Sequence, residues 1–182
     1  MIEIRWHGRG GQGAFTASKL FGEAIALYGG KYALSFPSFG PERRGAPVLA
    51  FTKIDTQKIE DRSEIKKCDY IVVLDETLFS EAYFNDLKSG GKIVLNTKDA
   101  VRYSRFGTEN LFLINATDIA LTTLGRPITN TAMIGALASI SEITTLDIIL
   151  QTVDHYFKGD LLQKNREVIR LTFDESKNVI EQ

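Results

Sequence analysis

Cysteine is nearly absent from this chain: Cys68 is its only one. A lone thiol closes no disulfide within the chain, and it cannot by itself ligate an iron–sulfur cluster or a cysteine zinc site. Histidine is almost as scarce, with His7 and His155 in separate segments and no acid–histidine spacing of the kind that marks a metal pair. Excess charge is missing too. The 22 basic and 23 acidic residues leave a formal net charge of −1, which excludes the broad basic field of a nucleic-acid-coating protein. No apolar run approaches bilayer-spanning length, and Met1-Ile2-Glu3-Ile4-Arg5 has no basic segment ahead of an apolar core. No Gly-x-Ser-x-Gly elbow surrounds Ser18 or Ser38, so a hydrolase triad has no support. The expectation is a soluble, unexported chain of a reducing cytoplasm, without membrane or nucleic-acid partners.

What is present suits one α/β domain spanning 1–182, long enough to bury a core and too short for two ordinary domains. Residues 2–6 alternate as a strand does. Ala14, Ala17, Leu20, Phe21, Ala24, Leu27 and Tyr28 then recur at helical spacing up to Gly29-Gly30. A strand over 31–36 completes a βαβ unit. Further strands are expected at 48–54, 69–75, 92–96 and 111–115, with 69–75 apolar enough for a central, doubly covered position. A helix capped by Thr77 is expected over 77–87, ended by Gly90-Gly91. Helices at 116–124, 130–141, 145–157 and 161–177 form a helical tail. The fold class is therefore a three-layer α/β arrangement with a mainly parallel, mixed sheet and a Rossmann-like start. Gly135, Ala136, Ala138 and Ser139 give the 130–141 helix a small surface, best explained by close packing in the core.

The densest signal is His7-Gly8-Arg9-Gly10-Gly11-Gln12-Gly13, between the first strand and a helix starting near Gln12. Glycines allow a tight turn and close backbone approach, and a helix start offers unpaired N–H groups to an anion. Arg9 and Gln12 add polar side chains at that mouth. Gly8, Gly10 and Gly13 satisfy the dinucleotide fingerprint G-x-G-x-x-G, but the second strand ends Ser35-Phe36-Pro37 without the acid that binds a ribose. An independent NAD- or flavin-dependent oxidoreductase is thus an alternative rather than the leading reading, and a ligand-free assembly module is another. His7 is read as a turn-packing residue, Cys68 as a structural thiol, and Asp75-Glu76 as a ligand or cap position at a strand end.

The second constellation is Phe36-Pro37-Ser38-Phe39-Gly40-Pro41-Glu42-Arg43-Arg44-Gly45-Ala46-Pro47, with three of the chain's four prolines. Prolines stiffen a loop and would present Glu42, Arg43 and Arg44 in fixed geometry, which suits bidentate capture of carboxylate or phosphate.

Together, in this order, the two motifs resemble the gamma subunit of 2-oxoacid:ferredoxin oxidoreductases, most closely its pyruvate branch. The likeness runs nearly end to end through Asp69-Tyr70-Ile71-Val72-Val73-Leu74-Asp75, Asn130-Thr131-Ala132-Met133-Ile134-Gly135-Ala136 and Lys164-Asn165. The resemblance implies one subunit of a heteromultimer, typical of anaerobic metabolism, that oxidatively decarboxylates a 2-oxoacid to an acyl-CoA while reducing ferredoxin. It implies alpha, beta and delta partner subunits carrying thiamine diphosphate, Mg and iron–sulfur clusters, with no cofactor held by this chain alone and no activity in isolation. It also places coenzyme A, or a docking partner, near Gly8, Arg9, Gly10, Gly11, Gln12 and Gly13, and near Ser38, Gly40, Glu42, Arg43, Arg44 and Gly45. No residue is expected to be catalytic or to ligate a metal.

Overall fold

A computed structural model describes residues 1–38, 44–107 and 109–180. Strand β1 (Ile2–Arg9) leads through the glycine turn to α1 (Ala14–Tyr28), followed by β2 (Tyr32–Pro37), β3 (Pro47–Asp55) and β4 (Cys68–Val73). A 3-10 turn at Glu76–Leu78 and α2 (Ala82–Asp86) precede β5 (Leu87–Asn96), and α3 (Ala100–Tyr103) with a 3-10 turn at Ser104–Phe106 precedes β6 (Leu111–Ile114). The chain finishes with α4 (Ala116–Leu124), α5 (Asn130–Ser141), α6 (Leu146–Tyr156) and α7 (Gly159–Ile180).

The six strands lie in the order β2-β3-β1-β4-β5-β6. All neighbours pair parallel except β3, which is antiparallel to both β1 and β2. The first two strands with α1 do form parallel strands joined by a helix, but β3 is inserted between them.

Side-chain alternation divides the core into two. Ile4, Trp6, Val72 and Val94 face a large apolar core with α1 and the C-terminal helices. Phe51, Ile71, Val73, Ile93 and Leu95 face a second core, covered by Tyr103 with Phe79, Tyr83, Phe84 and Phe106. The second layer is therefore made of short turns whose aromatic rings meet edge-on or tilted, as Phe79 meets Tyr103 at 5.2 Å and Phe106 at 5.6 Å.

The expected helical C-terminal tail is present and packs as a layer on the sheet. Residues 131–140 of α5 are all buried, as expected of a helix apolar around its whole circumference. Its small face lies on α7: a Cβ on Gly135 would stand 2.4 Å from the Ile169 carbonyl oxygen and from Thr172 Oγ1. One turn earlier Thr131 Oγ1 donates to Asn165 Oδ1 at 2.8 Å, so α5 and α7 run side by side in the same direction.

Two expected features differ. The 77–87 segment is not one helix: Asp75, not Thr77, is the cap, accepting the Thr77 N–H, and a break at Ser80-Glu81 leaves only the five residues of α2. Gly90 and Gly91 end no helix but lie within β5, where its pairing with β4 shifts register between Cys68 and Tyr70.

Candidate functional site

The glycine turn sits at the carboxyl end of β1, beside the end of β4, where Leu74 N–H donates to the His7 carbonyl. Chain direction reverses between β1 and β3, so the segment before β3 reaches the same edge of the sheet. There Gly10 N–H donates to the Ala46 carbonyl at 2.8 Å, and Gly45 N–H donates to the Gly10 carbonyl at 3.1 Å. The two motifs thus form one backbone-paired surface. Gly40, Glu42 and Arg43 lie outside the described residues.

Arg9 is the strut of this surface. Its Nε pairs with Asp75 Oδ2 at 3.2 Å, Nη1 donates to the Gly45 carbonyl at 3.1 Å and Nη2 to Thr77 Oγ1 at 2.7 Å. Gln12 closes the turn from the other side. It accepts the Arg9 N–H through Oε1 at 2.7 Å, donates its own N–H to the Arg9 carbonyl, and donates Nε2 to Asp75 Oδ2 at 2.9 Å. Burial alone would raise the Asp75 pKa; hydrogen bonds from Thr77 and Gln12, with Arg9 adjacent, outweigh it and hold the carboxyl below its ordinary value. Arg9 and Gln12 therefore use these donors to shape the loop.

What remains open toward solvent is the start of α1. The helix begins at Ala14, because Gly13 caps it in the left-handed region at φ 80° with no side-chain cap, and its first turn has no acidic residue. A Cβ on Gly13 would lie 2.7 Å from Asn130 Nδ2, so a side chain there would push the Asn130 amide aside, and the left-handed torsion itself favours glycine. Residues Gly13 to Thr16, with Arg9, Gly10, Gly11 and Arg44, line an open cavity of about 540 Å³. The first-turn N–H groups of Ala14, Phe15 and Thr16 have no intrahelical acceptors, and the arginine opposite adds positive charge: an anion site in chemical terms. Of the sequence-expected residues, Arg9, Gly10, Gly11, Gly13 and Arg44 come together here. Gly8 packs on Ala14 Cβ, Gly45 supplies backbone bonds, and Ser38 turns its hydroxyl to Glu64 Oε1 at 2.5 Å.

Gln12 opens instead onto a polar cleft of about 390 Å³ along the carboxyl ends of β4, β5 and β6. Its floor is ordered by Asn96, whose Nδ2 donates to the Leu74 carbonyl and to Thr117 Oγ1, and by Thr97, whose hydroxyl donates to Glu76 Oε2 at 2.5 Å. Of this lining the sequence pointed to Gln12, Asp75-Glu76 and, as a cap, Thr77. The signal for Asn96 and Asn115 was a polar residue closing an apolar strand run, Asn96 at the last position of β5 and Asn115 directly after β6.

A ribose-binding acid is poorly placed. β2, which would carry it, is two strands from β1, roughly 9–10 Å off, because β3 intervenes. His7 is buried: Arg5 Nε donates to its Nε2 at 3.0 Å, and its Nδ1 lies 3.0 Å from Tyr83 Oη. Burial, and then the Arg5 charge, push it down to about 3. The Cys68 thiol is buried and pushed up to about 11, mainly by desolvation. Among the described residues no cluster of three or more His, Cys, Asp or Glu side chains could hold a metal ion, and no helix is long and apolar enough to cross a membrane.

A family profile described as pyruvate ferredoxin/flavodoxin oxidoreductase matches residues 3–175. Pyruvate synthase subunit PorC of Methanothermobacter thermautotrophicus is 45% identical over 176 residues, covering 96% of each chain. The pyruvate/ketoisovalerate oxidoreductases common subunit gamma of Thermococcus litoralis is 42% identical over 181 residues, covering 97% of each. Among solved structures, the pyruvate oxidoreductase subunit PORC of Thermotoga maritima superposes with a TM-score of 0.82 at 37% identity, over 95% of both chains. A 2-oxoglutarate:ferredoxin oxidoreductase of Magnetococcus marinus, solved with 2-oxoglutarate, coenzyme A and succinyl-CoA, shares the fold at TM-score 0.71 and 20% identity, over 99% of this chain and 31% of that one.

Proposed function

This chain belongs to the pyruvate ferredoxin/flavodoxin oxidoreductase family as a subunit of the gamma type, and on that premise we propose that it serves pyruvate oxidation by packing on thiamine-carrying partner subunits and receiving coenzyme A at the glycine-loop cavity. The observation that carries the reading is the shared cavity: the uncapped first turn of α1 and Arg44, brought together by the Gly10 to Ala46 backbone pair. A phosphate seated there accepts N–H bonds from Ala14 to Thr16 and a charge-assisted bond from the guanidinium. Arg9 and Asp75 hold the loop in that shape. Decarboxylation and electron transfer belong, in this proposal, to the thiamine and iron–sulfur groups of the partner alpha, beta and delta subunits, and this chain orients the acyl acceptor.

Coenzyme A affinity in the assembled enzyme tests it. A charge-assisted hydrogen bond contributes about 1.5–3 kcal/mol, so Arg44→Ala should raise the apparent KM for coenzyme A by roughly 10- to 100-fold with pyruvate KM unchanged. Unaltered coenzyme A kinetics in a fully assembled complex would exclude the ligand role. A second reading, a docking module without ligand, is favoured by the internal use of Arg9 and Gln12. It expects Arg44→Glu to abolish co-purification with the partner subunits.

A further inference from the structure

The polar cleft along the carboxyl ends of β4, β5 and β6 lies outside the glycine-loop reading, and its volume of about 390 Å³ suits a small solute. Thr129 lines it, just before α5. The residue is only 5% exposed, yet its hydroxyl makes no hydrogen bond among the described residues. A threonine in this position normally caps the helix, accepting a first-turn N–H from an extended backbone. Here φ −95° and ψ −6° are helical, and no cap forms. The hydroxyl oxygens of Ser139, Thr144 and Ser176 also lack partners, but they are sealed off, whereas that of Thr129 is open to the cleft. No acidic residue in the first turn answers the positive end of α5. Thr117 lines the cleft too; its Oγ1 accepts from Asn96 Nδ2 at 2.9 Å and keeps its own proton to give.

Three carboxylates face these donors: Asp75, Glu76 and Asp118. Asp75 is spent, with one oxygen on Thr77 and the other on Arg9 and Gln12. Glu76 uses only Oε2, toward Thr97 and Tyr103, and Asp118 only Oδ2, toward Asn115. Glu76 Oε1 and Asp118 Oδ1 accept no hydrogen bond among the described residues. Lys98 in the lining offsets one of these two charges. A simple anion would meet the carboxylates, and a phosphate ester would meet them with more charge. A simple amine would leave the Thr129 hydroxyl and the α5 terminus unanswered, and nearly buried polar groups are seldom left so. One molecule carrying both charges satisfies both sets.

We propose that this cleft binds a small α-amino acid, its carboxylate accepting from Thr129 and Thr117 and its ammonium donating to Glu76 and Asp118. The site is independent of the glycine-loop reading. L-Alanine titrated onto the full chain and followed by amide NMR should shift Thr97, Thr117 and Thr129 while leaving Phe15 and Thr16 unmoved. Thr129→Val should weaken L-alanine at least about tenfold without lowering Tm, because only an unpartnered hydroxyl is removed. Thr129→Ser, which keeps the hydroxyl, should retain binding. Propionate, lacking the ammonium, and ethylamine, lacking the carboxylate, should each bind at least about tenfold more weakly. Glu76→Gln with Asp118→Asn should erase the advantage of L-alanine over propionate. The proposal is overturned if L-alanine shifts none of these amides, if propionate, ethylamine or glycerol matches it, or if Thr129→Val binds it equally well.

Discussion

Gly13 shows how much one residue decides. Its left-handed torsion ends the turn, and its missing Cβ admits Asn130 from a helix more than a hundred positions later. Gly13→Ala should cost about 1–2 kcal/mol for the torsion alone, plus the collision with Asn130. Adding Asn130→Ala should recover the collision but not the torsional part, as urea denaturation of the single and double variants will report. Asp75 is the other pivot, since Arg9 and Gln12 both depend on it. Asp75→Ala should lose roughly 1–3 kcal/mol of stability, because it strips partners from two half-buried donors. At this scale the sequence was partly readable. The glycines advertised a turn, but Arg9 looked like a ligand donor because Asp75 is 66 positions away and meets it only through the parallel pairing of β1 with β4.

Within the elements, β1 presents an ordinary apolar face through Ile4 and Trp6 and a polar one through Arg5 and His7. Because Arg5 Nε can only donate, His7 must accept at Nε2 and carry its proton on Nδ1, facing Tyr83, whose hydroxyl donates to the Leu78 carbonyl at 2.7 Å. The folded protein thus disfavours the charged imidazole that the unfolded chain forms near pH 6.5. Stability from this neutral His7 is present above about pH 6.5 and is lost as pH falls toward about 3, at up to about 1.4 kcal/mol per pH unit. His7→Gln should flatten that slope between about pH 4.5 and 6.5, above the carboxylate range, in denaturation curves taken across pH. On the other side of the sheet, Gly135→Ala would force α5 off the α7 backbone. A cost of about 1–3 kcal/mol, or roughly 2–4 °C of Tm per kcal/mol, is expected by calorimetry. The boundary between α4 and α5 was legible because Gly125-Arg126-Pro127 interrupts two apolar, small-residue runs. Residues 77–87 misled because Phe79, Tyr83 and Leu87 fall at helical spacing while serving a cluster built from turns.

For the whole molecule, composition and the run of elements sufficed for an α/β class, and the paired motifs for a family. Strand order was another matter. Nothing local distinguishes an antiparallel β3 placed between β1 and β2 from a simple crossover, because both leave the same apolar alternation in the sequence. That one insertion carries the proline-rich segment to the glycine turn. On the proposed function, co-expression with thiamine- and iron–sulfur-carrying partner chains should yield one complex by size exclusion, and variants that unpair Gly10 from Ala46 should raise the KM for coenzyme A before they loosen assembly.

The central place of β1 also has a price in time. It is translated before both strands that flank it, and His7 waits for Val73, its partner 66 positions later. At about 5–20 residues per second, a ribosome leaves the β4-facing backbone edge of β1 unpaired for roughly 3–13 s. Nascent chains stalled before β4 should therefore be captured by chaperones and cut by proteases, and protection should arrive abruptly once Val73 has cleared the exit tunnel.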